Sequence, residues 1–160
     1  MITAVDTNIL LDLLIPDAPE GEASQALLEA ALRQGKLVIG EVVYAELAAH
    51  FPTQEELDRF LAETGLRFTP SEPTALARAG RAWAAYTRRR GGGMLCPSCG
   101  RVQRLSCRHC GALLRGRQHL VSDFLVGAHA AAQADRLLTR DRGYYRTYFP
   151  ELPLMERLGR

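Results

Sequence analysis

Four short apolar runs, spaced by stretches of helical periodicity, most constrain what this 160-residue chain can become. Ile2, Ala4 and Val5 end at Asp6, Leu37-Val38-Ile39 form a second run, and Leu66–Thr69 and Arg136–Thr139 follow. The first two read as buried strands, and the others as a third and a fourth strand. Between them, Ala23, Ala26, Leu27, Ala30 and Ala31 recur on one helix face that starts at Gly21 and ends at Gly35. Helices are also expected over Asn8–Leu14, with Thr7 as cap and a stop near Pro16, and over Glu41 to His50. Further helices are expected over Gln54 to Glu63, after the Pro52 break, and from Pro73 to Arg90. Periodicity resumes at Phe124, Leu125, Ala128 and Ala132, and Leu152-Pro153-Leu154 suits an edge strand because of its proline. Strands alternating with helices predict an α/β domain with a parallel sheet covered on both faces.

The length supports one core rather than two. With 47% apolar and 24% charged residues the composition is that of a globular chain, which argues against disorder and coiled coil. No stretch approaches the ~18 unbroken apolar residues of a membrane span. The segment Met1–Ile15 lacks a basic start and carries Asp6 and Asp12 in its apolar run, so the cytoplasm is the expected compartment. The net charge of +2 conceals a division. Eight arginines (88, 89, 90, 101, 104, 108, 115 and 117) and no acid lie between Arg88 and His119, and without them 12 basic face 18 acidic side chains. All four cysteines fall in the same window. A basic segment on an acidic body suits a polyanion partner.

In an open parallel sheet the functional crevice lies beyond the carboxyl ends of the strands. Asp6 follows the first run and Asp141 the fourth, so both belong on that edge. Glu46 sits on the helix after the second strand, and Asp123 opens the helix before the fourth. Four converging carboxylates repel one another unless a hard cation offsets them, and oxygen-rich sites of this kind suit Mg²⁺ or Mn²⁺. Such ions activate water and stabilise charge in phosphodiester cleavage. Each acid also has a plainer reading: Asp123 as a first-turn acid behind a Ser122 cap, Asp141 as a turn acid, Glu46 on a solvated face. Asp6 is harder to explain that way, because an acid ending an apolar strand needs a partner.

Cys96-Pro97-Ser98-Cys99-Gly100 and Cys107-Arg108-His109-Cys110-Gly111 repeat one Cys-x-x-Cys-Gly pattern. Two-residue spacing lets both sulfurs of a unit reach one ion, and paired units predict a closed, structural Cys₄ site for Zn²⁺. Disulfides and an iron–sulfur centre are the alternatives, the former disfavoured in a reducing compartment. His109 could replace a cysteine ligand. Gly91-Gly92-Gly93 ends the preceding helix and lacks the features of a phosphate loop.

The acids sit in motifs that resemble a known family. Val5-Asp6-Thr7-Asn8-Ile9-Leu10-Leu11, Glu41-Val42-Val43-Tyr44-Ala45-Glu46-Leu47, Asp123-Phe124-Leu125-Val126-Gly127-Ala128-His129-Ala130 and Leu137-Leu138-Thr139-Arg140-Asp141 are similar, in order and spacing, to the acidic motifs of PIN-domain nucleases of the VapC toxin type. The likeness extends through Arg142-Gly143-Tyr144-Tyr145 to Tyr148-Phe149-Pro150, and spans roughly residues 1–90 and 120–155. It implies a three-layer fold with a central parallel sheet, and a Mg²⁺- or Mn²⁺-dependent endoribonuclease acting on RNA. It also implies a homodimer and a small antitoxin protein as partners. By motif position Asp6, Glu46, Asp123 and Asp141 become the metal-site and catalytic acids, with Asn8 and Thr139 as polar supports.

The chain departs from the family where residues 91–119 intervene before the third acid, so these are expected to form an inserted zinc ribbon in a nuclease domain of residues 1–90 and 120–160. Arg88, Arg89, Arg90, Arg108, Arg115 and Arg117 are candidate RNA contacts, since carboxylates alone would repel phosphates and arginine stacks on unpaired bases. A solvated helix end, a dimer contact or an antitoxin contact are the competing readings for this segment. His129 is expected to pack, His50 and His119 to lie at the surface, and Trp83 and Tyr86 to serve core or dimer interface. The reading is an RNA-cleaving toxin; a housekeeping RNA-processing nuclease and a catalytically silent binding module are the rivals.

Overall fold

The computed structural model describes residues 1–89, 94–96, 98–112 and 120–155. The expected apolar runs form strands β1 (Ile2–Val5), β2 (Lys36–Ile39) and β3 (Leu66–Phe68). After them β4 (Met94–Leu95) pairs antiparallel with β5 (Val102–Gln103) in a small separate hairpin, and β6 (Arg136–Leu138) and β7 (Leu154–Met155) complete the set. The main sheet has the order β3-β2-β1-β6-β7, and all its pairings are parallel. The proline-bearing segment does supply an edge strand, starting at Leu154 beyond Pro153.

Successive strand residues point to opposite faces, so a strand buried along its length is covered on both. Thr3, Ala4 and Val5 are all buried, as are Leu37, Val38 and Ile39. Seven helices do the covering among the described residues: α1 (Thr7–Leu14), α2 (Gly21–Gln34), α3 (Glu41–Ala48), α4 (Gln54–Thr64), α5 (Pro73–Arg89), α6 (Val121–Gln133) and α7 (Arg142–Tyr148). Helix α6 packs on β1 and β6 and against α5, while α2 packs on β2. Ile9, Leu10, Leu37, Ile39, Leu137 and Leu138 are wholly enclosed, each contributing about 1.5–3 kcal/mol through its removal from water. No described helix is long and apolar enough to cross a membrane.

Strand order sets where a site can form. From β1 the chain runs outward through β2 and β3 on one side, and returns to place β6 and β7 on the other. The switch therefore lies between β1 and β6, with its crevice at their carboxyl ends. An aromatic cluster fixes the helices around that crevice. Phe124 of α6 stacks with Tyr86 of α5 at 5.5 Å, and with Tyr144 and Tyr148 of α7 at 5.3 and 5.2 Å between ring centres. Tilted and edge-on pairs of this kind add about 0.5–1.5 kcal/mol each beyond burial. Helix α7, which directly follows Asp141, is an element the apolar periodicity does not reveal.

Candidate active site

Asp6 ends β1 and occupies the N-cap position of α1. Its backbone N–H donates to the Leu138 carbonyl at 3.0 Å, which carries the β1–β6 pairing one residue beyond the strands. Its side chain is 92% covered, and its Oδ2 accepts hydrogen bonds from Thr139 Oγ1 at 2.6 Å and Asn8 Nδ2 at 2.8 Å. Asn8 Nδ2 also reaches Thr139 Oγ1 at 3.2 Å, and the Asn8 Oδ1 accepts from the Arg140 N–H at 3.2 Å. The backbone N–H of Asp141 donates to Thr139 Oγ1 at 3.0 Å. One polar chain thus links both strand-end acids through the two residues expected to support them. Burial pushes the Asp6 carboxyl up to about 6, with Glu46 and Asp141 adding repulsion, against the lowering effect of Thr139 and the Thr7 backbone.

Thr7 does not cap α1. It is the first residue of the helix, and its hydroxyl donates instead to Glu46 Oε2 on α3. Cap and cleft compete for one hydroxyl, and the carboxylate is the stronger acceptor. Asp123 is the third residue of α6, and its Oδ2 accepts from the Leu120 N–H at 2.7 Å. The plain capping role therefore falls to Asp123 itself rather than to Ser122, which lies inside the helix. Asp141 is the N-cap of α7 and accepts from the Tyr144 N–H at 3.3 Å. Each acid keeps a structural role, yet all four line one open cleft of about 490 Å³.

Among the described residues, no lysine or arginine lines that cleft. Its walls add Tyr145, His50 and Ser122, which sequence reasoning did not assign to it. The Tyr145 hydroxyl lies 3.4 Å from Asp6 Oδ2, and burial raises its own pKa well above the ordinary value. Its position one helical turn after Asp141 was the available signal. Among the described residues no three His, Cys, Asp or Glu side chains converge tightly enough to enclose a metal ion.

Behind the cleft, Arg140 forms an ion pair at 3.0 Å with Asp12, which is 8% exposed, and donates to the Asn8 carbonyl at 3.2 Å. Ser24 Oγ donates to the same Asp12 carboxylate at 2.5 Å. This contact fastens the 139–141 loop to α1. Asp12 interrupts an apolar helix face, so the need for a buried partner was visible there as well.

The two cysteine units share one pattern of backbone hydrogen bonds. The Gly100 N–H donates to the Cys96 carbonyl at 2.8 Å, and the Gly111 N–H to the Cys107 carbonyl at 2.9 Å. Cys96 N–H donates to the Arg101 carbonyl at 2.9 Å, matched by Cys107 and Ala112 at 2.8 Å. The backbone N–H groups of Cys99 and Ser98 lower the Cys96 thiol pKa, and those of Cys110 and His109 lower that of Cys107. All four thiols are free, so no disulfide is present. Among the described residues the two pairs are not gathered into the four-sulfur group expected from their spacing. Thiolates repel one another, and assembly of such a group is coupled to the ion that offsets them.

Arg88 and Arg108 are exposed. Arg90, Arg115 and Arg117, with the side chain of Arg89, lie outside the described residues, as does His119. His129 is packed, at 3% exposure, with Nδ1 3.2 Å from Ser71 Oγ, and burial lowers its pKa. Tyr86 is core while Trp83 is exposed.

Comparison with known proteins agrees with this fold. Residues 3–96 match the PIN domain family model. The fold resembles that in the crystal structure of VapBC2 from Rickettsia felis bound to a DNA fragment from their promoter. The TM-score is 0.60 at 20% identity, over 97% of this chain and 98% of that one. It also resembles VapBC-1 from nontypeable Haemophilus influenzae, with a TM-score of 0.60 at 17% identity, over 98% of each chain. No curated protein matches the sequence.

Proposed function

Because the chain belongs to the PIN domain family, whose members are generally nucleases, we propose that it is a Mg²⁺- or Mn²⁺-dependent endoribonuclease and the toxin of a toxin–antitoxin pair. The observation that carries this reading is the single cleft lined by Asp6, Glu46, Asp123 and Asp141 at the switch point of the sheet. A bound divalent cation would supply Lewis-acid stabilisation of phosphate charge and an activated water. The protein's own residues prepare the place for it. Asn8 and Thr139 orient the Asp6 carboxylate, Thr7 orients Glu46, and the N-cap position fixes Asp141. Beside a bound cation the Asp6 carboxyl would give up its proton more readily than in the metal-free protein.

The toxin assignment draws on the likeness of fold to chains in VapBC structures, and brings a small antitoxin and a homodimer as partners. Leu76 and Trp83, seven apart on α5 and both exposed, suit such a protein contact. RNA rather than DNA is the proposed substrate, with Arg88, Arg89, Arg90, Arg108, Arg115 and Arg117 offsetting the charge of the cleft. Residues 91–119 are the inserted unit of a body formed by 1–90 and 120–160. Cys96, Cys99, Cys107 and Cys110 hold one structural Zn²⁺ in it, in a reducing cytoplasm that keeps the thiols free. Elemental analysis of Cys107→Ser checks that assignment: zinc is lost while the helical signal stays, and unchanged zinc content overturns it.

The test of the nuclease reading is cleavage of single-stranded RNA by purified wild type and Asp6→Asn in Mn²⁺ and in chelator. Wild type cuts only with the metal, and the variant is folded and inactive. Equal cleavage by both proteins would sink the assignment.

A further inference from the structure

Side-chain donors in the acidic cleft are few, and most are already committed. The Thr7 hydroxyl is given to Glu46, Asn8 Nδ2 to Asp6 and Thr139, and the Tyr145 hydroxyl to Asp6. Leu11, Ala49 and Val126 also line the cleft but have no side-chain donor. That leaves Ser122 and His50. Neither of these side chains makes a hydrogen bond or ion pair among the described residues.

Of the two, His50 is the stronger anion contact. Among the described lining residues it alone can carry a positive charge, and imidazole offers one N–H in either neutral tautomer and two when charged. The side chain is exposed, yet its backbone is anchored. The His50 N–H donates at 2.8 Å to the carbonyl of Leu47, a wholly enclosed residue. His50 lies two residues beyond the end of α3 and four after Glu46, so one turn of chain brings both to the cleft wall. None of the described arginines lines the cleft. A phosphate entering among four carboxylates therefore meets one charge-bearing donor that no acid has claimed.

We propose that His50 is a substrate-binding residue: its imidazole donates to a non-bridging phosphate oxygen of the polynucleotide held in the acidic cleft. This deepens the nuclease reading and rests on it for the class of substrate. A hydrogen bond to a charged oxygen is strong enough to change binding by about tenfold.

The experiment has two arms. In the first, proton–carbon spectra of the histidine rings are followed in Mg²⁺ as adenosine monophosphate is added, the His50 signal being the one missing from His50→Gln. That signal shifts and saturates, while those of the other three histidines stay in place. In the second, cleavage of single-stranded RNA is measured in Mn²⁺. His50→Ala raises KM by about tenfold and moves kcat by less than about threefold; His50→Gln, which keeps an N–H, raises KM by only about threefold. A His50 signal that nucleotide leaves unmoved overturns the proposal. So does a fall in kcat with KM unchanged, and so does a higher Mn²⁺ requirement with KM unchanged, which would put the imidazole on the cation. If wild type does not cut RNA the nuclease reading fails, and the ring spectra by themselves decide whether His50 holds a phosphate.

Discussion

Replacing Asp6 with Asn is predicted to make the metal-free protein more stable at neutral pH. In the fold the Asp6 carboxyl holds its proton up to about 6, against an ordinary value of 3.8. The folded state therefore binds more protons than the unfolded one between those values, and stability falls as pH rises through the interval. Above about pH 6 the penalty is fully present, and below 3.8 it vanishes. At about 1.4 kcal/mol per pH unit the difference amounts to roughly 3 kcal/mol, reduced to about 2 kcal/mol by the water that reaches the open cleft. Asn keeps one oxygen to accept from Thr139 and Asn8, and its NH₂ faces a cleft lined by acceptors. The assay is thermal unfolding in chelator at about pH 7.5 and about pH 5, where the gain is about half. A gain of about 2 kcal/mol raises Tm by roughly 4–8 °C in a chain of this size. Added Mn²⁺ should then stabilise wild type and leave Asp6→Asn unmoved. A destabilised variant, or a gain that does not change with pH, would refute the idea that an uncompensated buried charge is held here.

Three further outcomes follow from packing and charge. Gly127→Ala on α6 would bring a Cβ within 2.4 Å of Phe149 Cε2, an enclosed ring without room to turn, so denaturant unfolding should report a loss of about 2–3 kcal/mol. Arg140→Ala strips the buried Asp12 of its cation; unfolding should show a loss of about 2 kcal/mol, less in an Asp12→Asn background. Replacing Arg88, Arg89 and Arg90 together by Ala should weaken RNA binding and flatten its salt dependence, measured by fluorescence anisotropy. The log–log slope should fall by about 0.7 for each phosphate that is no longer neutralised. An unchanged slope would assign these arginines to a protein partner.

What the sequence disclosed depended on how local the cause was. β1, β2 and β6 were legible as short apolar runs bounded by a polar residue, a composition that burial on both faces demands, whereas β3 was legible although only its Leu66 is buried. Helix α7 was not, since Arg142–Tyr148 buries tyrosines through an aromatic cluster rather than an apolar stripe. Asp6 and Asp141 were found by their place after strands, but their meeting in one cleft depends on β1 lying beside β6, a pairing of residues more than 130 apart. The fate of the Thr7 hydroxyl was hidden for the same reason: its partner is on another helix. The four-cysteine site was read from spacing alone, which fixes each turn but not the approach of one turn to the other.

The proposed function makes the cleft at the ends of β1 and β6 a divalent-metal site. Crystals of the protein grown with Mn²⁺ and measured at a wavelength where manganese scatters anomalously test it most directly. The account predicts an anomalous peak in the cleft between Asp6 and Asp141, absent from Asp6→Asn crystals. A cleft without a peak at saturating Mn²⁺, or an equal peak in the variant, would contradict it.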